Sequence, residues 1–198
     1  MAEASAYRDQ RSQFWKKHFD DAESYPQYLA SSAPAHARKW EAMAEQIPPL
    51  EASEVARLSV LKRRLHVLVY SGVWCGDCVR QGPMLDRITR ACPDAELRII
   101  DRDVSPALQE ELRVMGALRV PVVVFLSEDF WEIGRYGDRT LTAYRAKALR
   151  EVGPACDAGV VAAPTNQLKA EQSEWVDQFE RMLLIARLSP PMRERHED

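Results

Sequence analysis

The sequence predicts an α/β fold, in which helices flank a central mixed β-sheet and further helices are added at both ends of the chain. Strand and helix signals alternate from residue 66 to residue 115, which is typical of parallel strands joined by crossover helices. A continuous apolar run, Val122–Leu126, has the composition of a buried central strand. Residues 130–136 alternate and follow a turn, which predicts an antiparallel hairpin.

The sequence predicts that the segment before the sheet, residues 4–47, is helical. Residues 4–47 contain two or three short helices with breaks near Pro26 and Pro34, because a residue that precedes proline is disfavoured in a helix. Pro48-Pro49 is the best boundary, and an amphipathic helix over residues 51–64 then leads to the first strong strand. We therefore predict an N-terminal helical extension, 1–50, ahead of the main domain, 51–152.

The remaining elements follow the same logic of apolar spacing and turn signals. The predicted elements after residue 64 are strand 66–70, helix 76–92, strand 97–101, helix 106–115, strand 122–126, strand 130–136, helix 140–152, loop 153–164 and helix 166–188. We expect the C-terminal segment, 153–188, to pack on the N-terminal extension. The polar tail, 189–198, is predicted to be disordered.

Composition and charge narrow the functional classes. The chain has 198 residues and a formal net charge of -3, so nucleic-acid binding has no global electrostatic support. No apolar run approaches the ~18 residues of a membrane-spanning helix, and residues 1–15 lack the apolar stretch of a secretory signal. We therefore expect a cytoplasmic protein, where a close cysteine pair is more often catalytic, redox-sensing or metal-binding than structural.

Cys75 and Cys78 stand at the predicted start of the helix that follows the first strong strand. A helix N-terminus presents unpaired backbone N–H groups and the positive end of the helix dipole, which favour thiolate over thiol. The second sulfur lies about one turn into the helix, within disulfide reach of the first. This arrangement suits thiol-disulfide exchange, in which Cys75 attacks a substrate disulfide and Cys78 resolves the mixed disulfide.

The spacing of the pair alone leaves other interpretations open. Two cysteines at this spacing are also half of a tetrahedral zinc site, and some pairs are incidental. The other cysteines and the histidines form no second close ligand pair in the sequence; they are Cys92, Cys156, His18, His36, His66 and His196. The spacing therefore favours redox chemistry over an incidental pair, and an incidental pair over a metal site.

Residues far apart in the chain carry a resemblance to the thioredoxin family. Trp74-Cys75-Gly76-Asp77-Cys78 follows a strand, Pro83 stands five positions after the second cysteine, and Val120-Pro121 precedes a later strand. Gly137 lies in the closing hairpin. Together they resemble a thioredoxin-like protein over about residues 53–152, similar to a bacterial branch with added helices.

The resemblance implies a thioredoxin fold and particular roles at its site. Pro121 would follow a cis peptide bond and lie opposite the cysteines, and the backbone of Val120 would pair with a substrate chain. Trp74 would shield the disulfide and offer an apolar surface to the substrate. Gly76, between the cysteines, is a further candidate substrate contact.

Two positions complicate this interpretation. Val69 stands where short thioredoxins carry a buried aspartate beneath the disulfide, so the usual proton relay to Cys78 is in question. Asp77 is the hypothesised substitute, as a relay or through its charge. That negative charge disfavours a second one on Cys75, so it should raise the pKa of that thiol above the value set by the helix terminus alone.

The sequence thus predicts a cytoplasmic thiol-disulfide oxidoreductase that works in the reducing direction and needs no cofactor for the exchange. Its partners would be a disulfide-containing protein or small molecule and an electron donor, either a reductase or a small thiol, with no nucleic acid and no membrane. The alternatives are a thioredoxin-fold binding module with little redox activity, and metal or Fe–S binding by the cysteine pair. No role is assigned to Cys92 or Cys156, and the oligomeric state is not predicted.

Overall fold

A computed structural model of the chain describes residues 7–152 and 164–197. The strands in these residues are β1 (Glu23–Ser24), β2 (Leu65–Ser71), β3 (Ala95–Asp101), β4 (Val122–Leu126) and β5 (Glu132–Gly137). The helices are α1 (Ser12–Asp20), α2 (Tyr25–Ala30), α3 (Pro34–Gln46), α4 (Ala52–Ser59), α5 (Gly76–Ala91), α6 (Pro106–Glu111), α7 (Leu141–Val152), α8 (Gln167–Leu188) and α9 (Pro190–His196).

The five strands form one mixed sheet in the order β1-β3-β2-β4-β5. β2 is parallel to β3, and the other neighbouring pairs are antiparallel. Every residue of β2 and of β4 is buried, as expected of central strands built on the apolar runs 67–70 and 122–126. The sheet and its flanking helices confirm the predicted α/β class.

Helices cover both faces of the sheet. Successive side chains of β2 point to opposite faces. His66 lies on one face, where its ring centroid is 4.8 Å from that of Phe19 in α1. Ser71 lies on the other face, towards Cys78 of α5. Helices α3, α4 and α8 pack around α5, so the helix that begins at the cysteine pair is held on several sides.

Trp40 connects the N-terminal helices to the segment that carries the cysteines. Its side chain is fully buried against α5, where a Cβ on Gly82 would lie 2.0 Å from its Cζ3 atom. Only glycine at that position leaves room for the indole ring. The ring nitrogen donates a hydrogen bond to the carbonyl of Val73 at 3.0 Å, two residues before Cys75. The N-terminal extension therefore helps to fix the chain just before the site.

The structure differs from the sequence prediction at β1, at the ends of α4 and α6, and at α9. The helix predicted over residues 51–64 ends at Ser59. β1 pairs antiparallel with the edge of β3 and was not predicted, because two residues carry no readable periodicity. The helix predicted to reach residue 115 ends at Glu111. Beyond it, Val114 and Ala117 exchange backbone hydrogen bonds of 3.0 and 3.1 Å, and this tight turn places Met115 and Gly116 at positive φ.

The prediction of a disordered tail at 189–198 is wrong for the described part of that segment. Residues 190–196 form α9, which buries Met192 against the domain. The side chains of Arg195 and His196 both contact the Asp129 carboxylate, at 2.8 and 3.1 Å. One buried methionine and one distant carboxylate fix a segment whose polar composition suggested no core contact.

Helix α8 lies mainly along α4, α5, α7 and β5. The ring centroid of its Trp175 is 5.0 Å from that of Tyr136, and Gln172 donates a hydrogen bond to the carbonyl of Pro48 at 3.0 Å. Most of its neighbours thus belong to the 51–152 segment, and Pro48, near the end of the extension, 1–50, accepts the Gln172 hydrogen bond. The domain boundaries themselves stay a prediction, and most of the predicted loop 153–164, including Cys156, lies outside the described residues.

Candidate active site

Cys75 caps the N-terminus of α5. After β2 ends, the chain turns, and the N–H of Cys75 donates a hydrogen bond to the carbonyl of Gly72 at 2.9 Å. Cys75 has extended backbone angles, and its carbonyl accepts the first helical hydrogen bond, from Val79, at 2.9 Å. Its sulfur is therefore next to the unpaired N–H groups of the first helical turn.

These surroundings lower the pKa of the Cys75 thiol to about 6. The largest cause is a hydrogen bond from Cys78, and the backbone N–H groups of Cys78 and Asp77 act in the same direction. Burial and the negative charge of Asp77 oppose them. Because the favourable contacts prevail, Cys75 is mostly a thiolate at neutral pH and is a competent nucleophile.

The pKa of the Cys78 thiol is shifted in the opposite direction from that of Cys75. The Cys78 side chain is 1% exposed, and burial, followed by the interaction with Cys75, raises the pKa of its thiol. The N–H of Gly72 donates a hydrogen bond to its sulfur at 3.4 Å. The two cysteines lie near each other and are not joined by a disulfide.

The peptide bond between Val120 and Pro121 is cis and lies opposite the cysteine pair. The Cys75 sulfur is 3.6 Å from the carbonyl oxygen of Val120. A shallow groove of about 350 Å³ runs over this contact, with Trp74 and Val120 in its wall. Trp74 is 49% exposed, and the Arg102 guanidinium lies 4.8 Å from the centre of its ring. The groove therefore combines a thiolate, an apolar ring and the backbone that leads into β4.

Arg139 is a site residue that the sequence analysis missed. Its guanidinium lies 2.5 Å from the Asp77 carboxylate and 3.3 Å from that of Asp138, and it lines the groove beside Cys75. Gly137 explains this position, because a Cβ there would lie 2.6 Å from the Pro121 carbonyl oxygen. Glycine lets the end of β5 approach the cis-proline closely, and the next two residues then face α5. The periodicity of the sequence cannot predict this contact between Arg139 and Asp77, because the two residues lie far apart in the chain.

Asp138 anchors this corner of the groove. It is 2% exposed, and its carboxylate accepts hydrogen bonds from Arg119 at 3.2 Å and from the Tyr144 hydroxyl. Burial raises its pKa, but these two contacts, a backbone hydrogen bond and the charge of Arg139 together outweigh burial, so the net pKa is lowered and the group stays ionised. The carbonyl of Asp138 accepts a hydrogen bond from Gln81 of α5 at 3.0 Å, which ties the corner to the cysteine helix.

Asp77 and Arg139 are expected to change the pKa of Cys75 in opposite directions. Asp77→Asn removes a negative charge and leaves the Arg139 cation unopposed, so the pKa should fall. Arg139→Gln leaves the Asp77 charge unopposed, so the pKa should rise. For partly exposed groups at this distance we expect shifts of about half a unit to one unit. The pH dependence of the rate of alkylation by iodoacetamide measures both shifts.

Asp86→Asn is the matched control for this pair of variants. Asp86 is a carboxylate on the same helix with its own arginine partner, Arg90, at 2.9 Å, but it lies two turns beyond the cysteines. Its replacement should leave the pKa of Cys75 unchanged. Shifts of the same sign in Asp77→Asn and Arg139→Gln would contradict the electrostatic account of the groove.

The other residues singled out in the sequence lie away from the groove. Val69 is fully buried on β2. The Cys92 thiol donates a hydrogen bond to the carbonyl of Ile88 at 3.4 Å, and burial raises its pKa to about 12, which makes it unreactive. Within residues 7–152 and 164–197, no group of three or more His, Cys, Asp or Glu side chains is placed to hold a metal ion. No helix in these ranges is long and apolar enough to cross a bilayer.

A helix-start cysteine pair opposite a cis-proline, on a mixed sheet of this order, defines a thioredoxin-like protein. A family model described as Thioredoxin matches residues 22–149, and the chain belongs to this family. The match begins at residue 22, between α1 and β1. The resemblance carried by the sequence motifs begins only at about residue 53. No curated protein matches the chain significantly.

Solved structures agree on the fold. A protein of unknown function from Pseudomonas aeruginosa is 22% identical and superposes with a TM-score of 0.63, over 85% of this chain and 96% of that one. An HIV epitope-scaffold protein is 21% identical with a TM-score of 0.55, over 92% of this chain and 98% of its own. At these identities the likeness establishes the architecture alone.

Proposed function

We propose that this chain is a thiol-disulfide oxidoreductase that reduces disulfides of proteins or small molecules. The observation that carries the proposal is the contrast between two thiols one helical turn apart. Cys75 opens onto the groove with a lowered pKa, whereas Cys78 is buried beneath it with a raised pKa. Membership of the thioredoxin family supports the same class of chemistry.

The reaction proceeds in two exchanges. The Cys75 thiolate attacks one sulfur of the substrate disulfide, the disulfide bond breaks, and the departing sulfur keeps the electron pair and takes up a proton. Cys78 then loses its proton and attacks the Cys75 sulfur, which releases the second substrate thiolate. Two electrons pass from the cysteine pair to the substrate, and a Cys75–Cys78 disulfide remains.

The substrate contacts follow from the walls of the groove. An extended substrate segment would lie beside the backbone of Val120 and Pro121, where the carbonyl of Val120 can accept a hydrogen bond from the incoming chain. Trp74 supplies apolar contact area, and Gly76 lies exposed at the start of α5, where a Cβ would meet no other part of the chain within 4 Å beyond its own helical turn. Both allow a polypeptide to approach the Cys75 sulfur closely.

A reductase or a small thiol would return the electrons to the pair, and no cofactor takes part in the exchange. The proposed partners are therefore a disulfide substrate and this electron donor, in the cytoplasm, with neither nucleic acid nor a membrane involved. The Trp-Cys-Gly-Asp-Cys motif and the helical additions are consistent with a distinct bacterial branch of the family.

Reduction of insulin disulfides with dithiothreitol as donor tests this function. The wild-type protein is expected to accelerate the reduction at catalytic concentration, because Cys75 is ionised at neutral pH and dithiothreitol is mostly protonated there. Protein alkylated with iodoacetamide is the control for non-specific effects. A rate no faster than that of dithiothreitol alone would refute the oxidoreductase function and leave a binding module.

A further inference from the structure

Cys78 has to lose its proton to resolve the mixed disulfide, and its surroundings resist the loss. Its side chain is almost fully buried, and the N–H of Gly72 is a backbone donor to its sulfur, at 3.4 Å. Val69, on the sheet face beneath, carries no polar side-chain atom. The proposed function therefore needs a further group that stabilises the Cys78 thiolate.

Two buried hydroxyl groups lie in this region without an assigned role. The side chain of Ser71 is 0% exposed and that of Tyr28 is 3% exposed. Within the described residues, neither hydroxyl oxygen has a well-formed hydrogen bond. Buried hydroxyls without partners are costly to a fold and are uncommon, so two neighbouring ones require an explanation.

Ser71 is placed beside Cys78 by the strand itself. It is the last residue of β2, two positions after Val69, so both side chains point to the face that α5 covers. Gly72, the residue that donates to the Cys78 sulfur, follows it directly. Burial raises the pKa of Cys78, and contact with the Ser71 hydroxyl counteracts that rise. Tyr28 also interacts with the Ser71 hydroxyl, which can accept from one neighbour while it donates to the other.

Tyr28 reaches the same place from the N-terminal extension. Its helix, α2, begins with a capping box in which the Ser24 N–H donates to the Gln27 side chain at 3.0 Å. The Tyr28 ring packs edge-on against that of Trp40, with centroids 5.7 Å apart. The contact between Trp40 and Val73 thus holds the phenol against the segment that carries the cysteines.

We propose that Ser71 is a catalytic residue that donates a hydrogen bond to the Cys78 thiolate, and that Tyr28 is a positioning residue that donates its own hydroxyl hydrogen to Ser71. The proposal rests on the oxidoreductase function above. In this proposal the two hydroxyls stabilise the Cys78 thiolate, a role that the apolar side chain of Val69 cannot fill. A chain of donors that ends on the sulfur stabilises the anion, because each hydrogen bond polarises the next.

The hydroxyls take no net proton in this step. The proton of Cys78 leaves for solvent while its electron pair stays on the sulfur, where the Ser71 hydrogen bond stabilises it. The anion attacks the Cys75 sulfur, the bond from Cys75 to the substrate sulfur breaks, and the substrate thiolate takes up a proton. The pair is oxidised by two electrons and the substrate is reduced by two.

The charged groups facing this cluster keep Tyr28 a donor. Burial is the main cause of its raised pKa, and the negative charges of Asp101 on β3, Cys78 on α5 and Glu23 on β1 raise it further. Cys75 is the titratable group that acts most directly on Cys78. In the mixed disulfide the Cys75 sulfur is bonded and carries no charge, so the pH dependence of resolution reports Cys78.

A coloured aromatic disulfide, dithiobis(nitrobenzoate), separates the two exchanges in time. The reduced protein, in a Cys156→Ser background, releases a first coloured thiolate when Cys75 attacks and a second when Cys78 resolves. In Ser71→Ala the second release should slow roughly ten- to a hundredfold at neutral pH, the size of one hydrogen bond to a charged group. Its pH midpoint should rise by about one to two units for the same reason.

Tyr28→Phe keeps the ring and removes only the hydroxyl, and should slow the second release by roughly three- to tenfold through the weakened chain of hydrogen bonds. The first release should stay at the wild-type rate in both variants, which also reports that they fold. Tyr25→Phe, on the same helix, is the matched control and should change neither phase.

Three other results would contradict the proposal in whole or in part. An unchanged second phase in both variants, or equal slowing of both phases, would overturn the proposal and leave the hydroxyls a structural role. Slowing of the second phase in Ser71→Ala but not in Tyr28→Phe would show that Tyr28 has no role in the resolution step. A wild-type protein without a second release would instead refute the oxidoreductase function itself, and the hydroxyl pair would fall with it.

Discussion

Cys75→Ser is expected to lose disulfide reduction almost completely while keeping the fold. The reactive species is a thiolate, and a serine hydroxyl is not ionised at neutral pH, so the rate should fall by roughly a thousandfold or more. The replacement suits the structure, because Cys75 is the N-cap of α5 and serine is among the best N-cap residues. Loss of activity would therefore report chemistry rather than unfolding.

Insulin reduction and thermal unfolding, measured on the same preparations, check this prediction. Cys92→Ala is the matched control, because Cys92 is a buried cysteine at the far end of the same helix whose pKa of about 12 makes it unreactive. The control should keep its activity even where it loses some stability. Reduction at a near-wild-type rate by Cys75→Ser would show that another group attacks the substrate.

Cys78→Ser is expected to stop turnover at the mixed disulfide instead of preventing attack. The serine hydroxyl cannot displace the substrate thiolate, but it can still donate the hydrogen bond that is the main cause of the low Cys75 pKa. Attack should therefore proceed at close to the wild-type rate, and the substrate should stay attached to Cys75. Multiple turnover should fall by roughly a thousandfold or more, because resolution requires a thiolate.

Cys78→Ala is the comparison that separates the two roles of Cys78. It removes both the resolving sulfur and the donor, so the Cys75 pKa should rise by about one unit or more and attack at pH 6–7 should slow. Alkylation rates across this pH range measure the difference from Cys78→Ser. Equal Cys75 pKa values in the two variants would contradict the assigned hydrogen bond.

The parts of the fold that could be predicted from sequence are those with a strong local signal. β2 and β4 each contain a run of apolar residues, and α5 begins at the cysteine motif, so the sequence locates these elements to within a few residues. The cysteine pair is itself a short local pattern. β1 and α9 were missed, because β1 is too short to show a period and α9 is held by one buried methionine and by contacts with Asp129, which is distant in sequence.

The rest of the site depends on contacts between distant parts of the chain. Arg139 reaches Asp77 because Gly137 lets the hairpin approach Pro121. The link proposed between Tyr28 and Ser71 joins a helix of the N-terminal extension to the end of β2. Neither pairing leaves a mark in the spacing of residues along the chain. The charge of Asp77 is therefore evident from the sequence, whereas the arginine that opposes it is not.

The most direct test of the central claim is the position of the covalent adduct in Cys78→Ser. The variant is mixed with insulin without a reducing agent, digested without reduction, and the disulfide-linked peptides are identified by mass spectrometry. The account predicts one adduct, with an insulin peptide joined to Cys75. An adduct on Cys92 or Cys156 in place of Cys75, or no adduct while the wild type reduces insulin, would contradict it.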